Sequence, residues 1–363
     1  MKKLSLFVTI MLIASLIAGC AGTPVVYYSD CTCPIGAHTE TPVETTAPVE
    51  TTEPAPIVEG AVKTGVAIVA SALESKSAGD ADGEAKYDVS VVAVTVDDNG
   101  VIQSCIIDSI GTSVLFDVNG AIVSDLTAEI PTKNELGDAY NMKLYGGAVA
   151  EWYEQAAALA SFACGKTVEE LRAGAVDETG HAVDADLATS ATIYLGGYVS
   201  AIENAVFNAE HLGAQAGDEL KLAISSSVDG SKNADAENAG LCELYTTAVA
   251  LTMRDGVITS AQIDAVQGKV NFDVTGTITG GTDGIFATKN MLGEQYGMKA
   301  WGGAIAEWNE QAASFAAYIT GKTADEVAGI AVDESTKPTD ADLLTSVTIK
   351  IGEFQALIAK ACN

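Results

Sequence analysis

Two seven-residue stretches carry the hydroxyl chemistry of this chain. Asp186-Leu187-Ala188-Thr189-Ser190-Ala191-Thr192 recurs as Asp342-Leu343-Leu344-Thr345-Ser346-Val347-Thr348, an offset of 156 residues (348 − 192). A threonine hydroxyl is a poor nucleophile unless a base stands beside it. No Ser-His-Asp order is evident, and His181 has Lys337 at its counterpart position. Thr192 and Thr348 therefore read as acceptors, modified by another enzyme, rather than as hydrolase nucleophiles. Both precede a helix pattern by a few residues, where free N–H groups and the dipole favour an attached phosphate. Small neighbours such as Ser190 and Ala191 leave room for a bulky group. The plain alternative is that Thr189-Ser190 caps a helix. Capping explains one hydroxyl, but not the paired pattern.

Other residues recur with the motif. Lys133 and Lys289 are repeated in a chain poor in lysine and could contact a bound phosphate or ring; a solvated lysine is the equal alternative. Lys143 and Lys299 share that ambiguity. Tyr140, Tyr145, Tyr296 and Trp301 lie on Gly-flanked, loop-like stretches and suit ring stacking. Trp152 and Trp308 fall on an apolar helical stripe, which favours core packing over stacking.

The elements that must position these residues come in two copies. Thr132-Lys133-Asn134 matches Thr288-Lys289-Asn290, Ala150-Glu151-Trp152 matches Ala306-Glu307-Trp308, and Gly165-Lys166-Thr167 matches Gly321-Lys322-Thr323, all at the same offset. The division is a repeat over 61–212 and a second over 213–363, each long enough to fold alone. A period this long indicates tandem domains rather than a solenoid. Each copy opens with a hairpin, Val89 to Val96 and Val101 to Ile110, then Tyr245 to Met253 and Val257 to Val266. A third strand is expected at Val114 to Val118 and at Val270 to Val274. A helix follows over Gly147 to Cys164, with Val149, Trp152, Ala156, Leu159 and Ala163 on one face and Ile305, Trp308, Ala312, Phe315 and Ile319 in the second copy. A closing helix spans Gly197 to Ala209, or Gly352 to Ala361. Strands first and helices later define an α+β class, two tandem domains each with an antiparallel sheet followed by helices.

Outside the repeats, residues 1–19 read as a signal peptide: Lys2 and Lys3, then an apolar run from Leu4 to Leu16 too short to span a bilayer. Ile17-Ala18-Gly19-Cys20 resembles a bacterial lipobox, which makes Cys20 the lipidated mature N-terminus. More than one acyl chain holds firmly where a single one does not. Residues 20–60 contain six of the chain's 8 prolines in Thr/Glu-rich phrases and are expected to stay extended, with a reach on the order of 100 Å. The formal net charge is −30, from 19 basic and 49 acidic residues. Such a balance excludes nucleic acid and docking on anionic lipid as partners, and it suits an extracellular protein kept soluble by self-repulsion. The 7 cysteines form no framework, and the 3 histidines show no zinc-like spacing, so no protein-bound metal is expected.

The two heptapeptides resemble the flavin-attachment motif of FMN-binding domains: Asp, two variable residues, Ser or Thr, Gly, Ala, then an acceptor Thr or Ser. Ser190 and Ser346 stand where the family prefers Gly, and Val347 where it prefers Ala. The resemblance implies two FMN groups, each joined through its phosphate to Thr192 or Thr348 by a flavin transferase. Asp186 and Asp342 match the leading acid, and Thr189 and Thr345 the first hydroxyl. With the lipobox and linker, the whole layout resembles PplA-type lipoproteins, the double-FMN carriers of extracellular electron transfer in Gram-positive bacteria. That second resemblance implies a carrier, lipid-anchored on the outer face of the cell membrane. It would take electrons from a membrane donor such as a quinol-linked dehydrogenase and pass them to extracellular acceptors such as ferric iron. The alternatives are a flavin-dependent extracellular reductase, for which no second substrate domain is left over, a non-redox adhesion or ligand-binding module, and FMN held without a covalent link.

Overall fold

The computed structural model describes residues 60–362, so the signal peptide, Cys20 and the linker up to residue 59 lie outside the described residues. The first repeat runs β1 (Lys63–Ser71), β2 (Gly83–Val96), β3 (Ile102–Phe116), then α1 (Lys133–Leu136), α2 (Met142–Gly146), α3 (Trp152–Ala163), α4 (Val168–Ala175), α5 (Ala185–Ser190) and α6 (Gly196–Phe207). The second runs β4 (Glu219–Ser227), β5 (Gly240–Arg254), β6 (Val257–Phe272), β7 (Ile278–Gly280), β8 (Ile285–Phe286), then α7 (Lys289–Leu292), α8 (Met298–Gly302), α9 (Trp308–Ile319), α10 (Ala324–Ala328), a 3₁₀ turn at Leu343–Thr345 and α11 (Gly352–Cys362). The result is a mixed α/β protein with two four-stranded antiparallel sheets, in the orders β3-β2-β1-β8 and β4-β5-β6-β7.

Three expectations need correction. The opening strands β1 and β4 precede the hairpins. Their buried runs, such as Val66-Ala67-Ile68, are apolar on both faces and lack the alternation that marks a half-exposed strand. The separate third strand does not exist: β3 and β6 run unbroken through Gly111 and Gln267 to Phe116 and Phe272. The long helix begins at Trp152 and Trp308, not at Gly147 and Gly303, so Val149 and Ile305 are exposed rather than on its apolar face.

Each sheet is buried on both faces, and this produces three cores. One lies between β1–β3 and their helices, with Val92, Val94 and Ile102 against Trp152, Leu159 and Ile202. Its counterpart joins Val249, Leu251 and Ile258 to Trp308, Phe315 and Phe354. The third is shared by both repeats: Val66, Tyr87, Ile110 and Phe116 pack with Leu220, Leu244, Val270 and Phe272. Phe116 and Phe272 occupy equivalent positions and stack on each other, with centroids 4.2 Å apart and planes 12° from parallel. No side chain fits beside these rings. A Cβ on Gly83 would meet Phe116 at 2.3 Å, and one on Gly240 would meet Phe272 at 2.3 Å.

The joint obeys a two-fold rule, in which a contact of residue i with j is repeated with the roles exchanged. Ala78 N donates to Gly276 O at 2.8 Å, and Ala234 N donates to Gly120 O at 2.8 Å. Both glycines have positive φ, 70° at Gly276 and 73° at Gly120. Ile122 N donates to Asn233 Oδ1, and Ile278 N to Ser77 Oγ. Strand β8 of the second repeat also extends the first repeat's sheet, pairing Phe286 with Ala70.

Candidate functional site

Each heptapeptide takes its shape from which of its residues are buried. Leu187 and Ala191, four apart, enter the core, as do Leu343 and Val347. That leaves Thr192 exposed and Thr348 half-buried. The true cap of α5 is Asp184, whose Oδ1 accepts from the N–H groups of Asp186 and Leu187; Asp340 does the same for Asp342 and Leu343. Thr189 and Ser190 cap no helix N-terminus. Their hydroxyls bond backward to Asp186 O at 2.8 and 3.2 Å. Thr345 bonds Asp342 O, and Ser346 bonds Leu343 O. The acids Asp186 and Asp342 lie exposed.

What holds Thr192 and Thr348 is a pair of residues to which the sequence alone assigns no role. Gln155 is fully buried on α3, and its Oε1 takes Thr192 N at 2.8 Å, Thr192 Oγ1 at 3.4 Å and Ile193 N at 3.1 Å. Gln311 repeats this with Thr348 N at 2.7 Å, Thr348 Oγ1 at 3.1 Å and Ile349 N at 3.2 Å. The amide nitrogens are anchored in turn on Ala150 O and Ala306 O, both at 2.8 Å. The signal was present in the repeated Glu-Trp-x-Glu-Gln phrase. Glu151 and Glu307 receive the first N–H groups of α2 and α8 from Met142 and Lys143, and from Met298 and Lys299. Trp152 and Trp308 pack in the core, and Glu154 and Glu310 close the helix caps.

The Thr-Lys-Asn phrase also divides its labour. Thr132 and Thr288 cap α1 and α7. Asn134 and Asn290 clasp the sheet: each side-chain amide donates to a β3 or β6 carbonyl at 2.9 Å, and each backbone N–H reaches Asp108 or Asp264 at 3.1 Å. Burial raises both carboxyls, Asp264 to about 6. The lysine between them is thereby turned inward. Lys289 is 5% exposed, lies 4.6–4.9 Å from the rings of Tyr245, Tyr296 and Trp308, and donates to Tyr245 Oη at 2.8 Å. Lys133 sits over Tyr140 and Trp152 at 5.4 and 5.1 Å. Among the other candidates, Tyr145 and Trp301 are 84% and 91% exposed, and Lys143 and Lys299 face solvent.

A few of these side chains line two clefts. The first, about 310 Å³, has Lys133, Tyr140, Trp152, Ile193 and Tyr198 in its walls. The second, about 720 Å³, brings Thr348 together with Tyr245, Met298, Trp308 and Phe354. The larger volume falls in the ~300–1,000 Å³ range of small-molecule sites. A further cavity of about 650 Å³ lies at the joint between the repeats, and Thr192, Thr348, Lys133 and Lys289 are not in its walls. The helix N-termini are only partly available to an anion, because Gly180 O already takes Leu195 N and Gly196 N, and Thr336 O takes Ile351 N. Among the described residues no group of His, Cys, Asp and Glu could hold a metal ion, and no helix is long and apolar enough to cross a membrane.

Burial pushes the Lys289 amine down to about 8 from 10.5, against the opposing pull of Glu353 and Asp264. Between those two values the unfolded chain holds a proton that the folded chain has released, so stability rises with pH there. Lys289→Met is expected to remove that rise, up to about 3 kcal/mol of difference between wild type and variant across the window. Urea melts at pH 8 and pH 10 check it; parallel pH slopes for the two proteins would show that the amine is not buried.

Comparison of the chain with protein families, with curated proteins and with solved structures finds no match.

Proposed function

We propose that this chain is a surface-anchored electron carrier holding two FMN groups, one esterified through its phosphate to Thr192 and one to Thr348. On this reading each repeat is an FMN-binding-type domain. The observation that carries it is the pair of equivalent threonine hydroxyls, each fastened by a buried glutamine, with Thr348 in the wall of one aromatic cleft and Ile193, the neighbour of Thr192, in the wall of the other. The residues of the second cleft fit a flavin phosphate ester. Thr348 opens onto the cleft, and Tyr245, Trp308 and Phe354 line it. When bound, the flavin supplies the redox chemistry, and the protein sets its exposure and electrostatics. Gln155 and Gln311 fix the acceptor oxygens, the aromatic walls exclude water, and Lys133 and Lys289 bring positive charge to the ring or phosphate. A flavin transferase would attach the groups, a quinol-linked membrane dehydrogenase would deliver electrons, and acceptors such as ferric iron would receive them outside the cell. Anchoring would come from lipid on Cys20.

Intact mass after co-expression with a flavin transferase tests this. Wild type is expected to gain two FMN increments, Thr192→Ala and Thr348→Ala one each, and the double variant none. Unmodified wild-type protein would refute the reading.

A further inference from the structure

Resting on that reading, we infer that the cleft at Thr348 encloses its flavin ring whereas the cleft at Thr192 leaves its ring open to solvent, and that Tyr194 makes the difference. The second cleft extends from Thr348 and Lys350 to the turn at Thr336 and Lys337, and all four residues are in its walls. At the repeat offset of 156 residues (350 − 194, 336 − 180) their counterparts are Thr192, Tyr194, Gly180 and His181. Of these, only Tyr194 is in the wall of the first cleft. Its ring covers the turn. It stands edge-on to His181, with centroids 6.3 Å apart and planes at 88°. It also lies so close to Gly180 that a Cβ there would meet Tyr194 Cε2 at 2.1 Å, and a Cβ on Gly196 would meet Tyr194 Oη at 2.8 Å.

The backbone beneath is the same in both repeats. Gly180 O accepts from Leu195 N, and Thr336 O from Ile351 N, each at 2.8 Å. Side chains therefore set the width of each cleft. Gly180 has φ 78°, and Thr336 keeps that left-handed conformation at φ 63° despite its branched Cβ. A branched residue held there is strained, and such strain gathers at ligand sites. The Thr336 side chain takes the space beside Gly352 that the Tyr194 ring takes beside Gly196: a Cβ on Gly352 would meet Thr336 Cβ at 2.8 Å. Lys350 is exposed and keeps its charged end in water, so no ring covers the turn in the second repeat. The cleft volumes follow, about 310 Å³ with Tyr194 in place and about 720 Å³ without its counterpart. The smaller value sits at the lower limit of the ~300–1,000 Å³ usual for small-molecule sites. Exposure agrees: Thr348 is half-buried and Ile349 buried, while Thr192 is exposed and Ile193 half-buried.

The test uses the singly loaded full chain: Thr348→Ala carries FMN only at Thr192, and Thr192→Ala only at Thr348. Flavin fluorescence is quenched with acrylamide, whose neutrality keeps the protein's charge out of the comparison. The quenching constant is expected to be several-fold larger for the flavin at Thr192. Adding Tyr194→Ala to that protein should lower the constant toward the value at Thr348. Tyr194→Lys, which installs the counterpart residue, should do the same. In the protein loaded at Thr348, Thr336→Gly together with Lys350→Tyr should raise the constant. Equal or reversed constants in proteins that each carry one FMN increment overturn the inference and leave the carrier reading intact. So does a constant that neither Tyr194 variant moves. Absence of any FMN increment overturns both.

Discussion

Gln311→Leu is expected to lower the unfolding free energy of this protein by about 3 kcal/mol and to abolish the FMN increment at Thr348. One carbonyl oxygen receives two backbone N–H groups and the Thr348 hydroxyl, and leucine offers none of them a partner. A buried donor left unpaired is unfavourable by about 1–3 kcal/mol, and Ile349 N is buried. Water can rescue part of the loss at Thr348, which is half-buried, and more at Thr192, which is exposed. Gln155→Leu should therefore be the milder variant, about 1–2 kcal/mol. The effect on modification is one of position, because the hydroxyl would no longer be held for an incoming phosphorus. Urea unfolding and intact mass together check it; full flavin loading in Gln311→Leu would show that the bracket is structural only.

The first repeat alone, residues 60–212, is expected never to form a stable monomer. Its length would suffice, but the face carrying Val66, Tyr87, Ile110 and Phe116 is covered by the other repeat. Exposing it forfeits ~25 cal/mol for each Å² of apolar surface. Because Ala78 and Gly120 both belong to this half, a second copy could offer the contacts that the other repeat now supplies. The expected outcome by light scattering is a dimer or an aggregate; a monomer with a cooperative melt would contradict the shared core. In the full chain, Phe272→Ala should cost about 3–5 kcal/mol, since it empties ring volume at the centre and removes the stack on Phe116.

Much of this arrangement was legible in the sequence, and the gaps have physical causes. The α9 stripe of Trp308, Ala312, Phe315 and Ile319 was readable because that helix has one wet face. Strand β1 was not, because a strand buried on both sides shows no alternation. The heptapeptides single out Thr192 and Thr348, but nothing in them points to Gln155 and Gln311. A glutamine on an amphipathic helix looks like a surface residue until the segment 37 residues downstream is laid against it. The inward turn of Lys289 was equally hidden, since it depends on the Asn290 clasp to Asp264 across the sheet.

The mutual stacking of Phe116 and Phe272 has one more consequence. Side chains that meet their own counterparts are what a homodimer places on its axis. In such a dimer a single codon would set the residue on both sides, and no position could be acidic in one site and phenolic in the other. Written as one continuous polypeptide, the same geometry is released from that constraint: Asp88 and Tyr245, Gly197 and Glu353, Tyr194 and Lys350 are free to differ. Covalent continuity thus allows a balanced scaffold to carry different residues at equivalent places in its two halves.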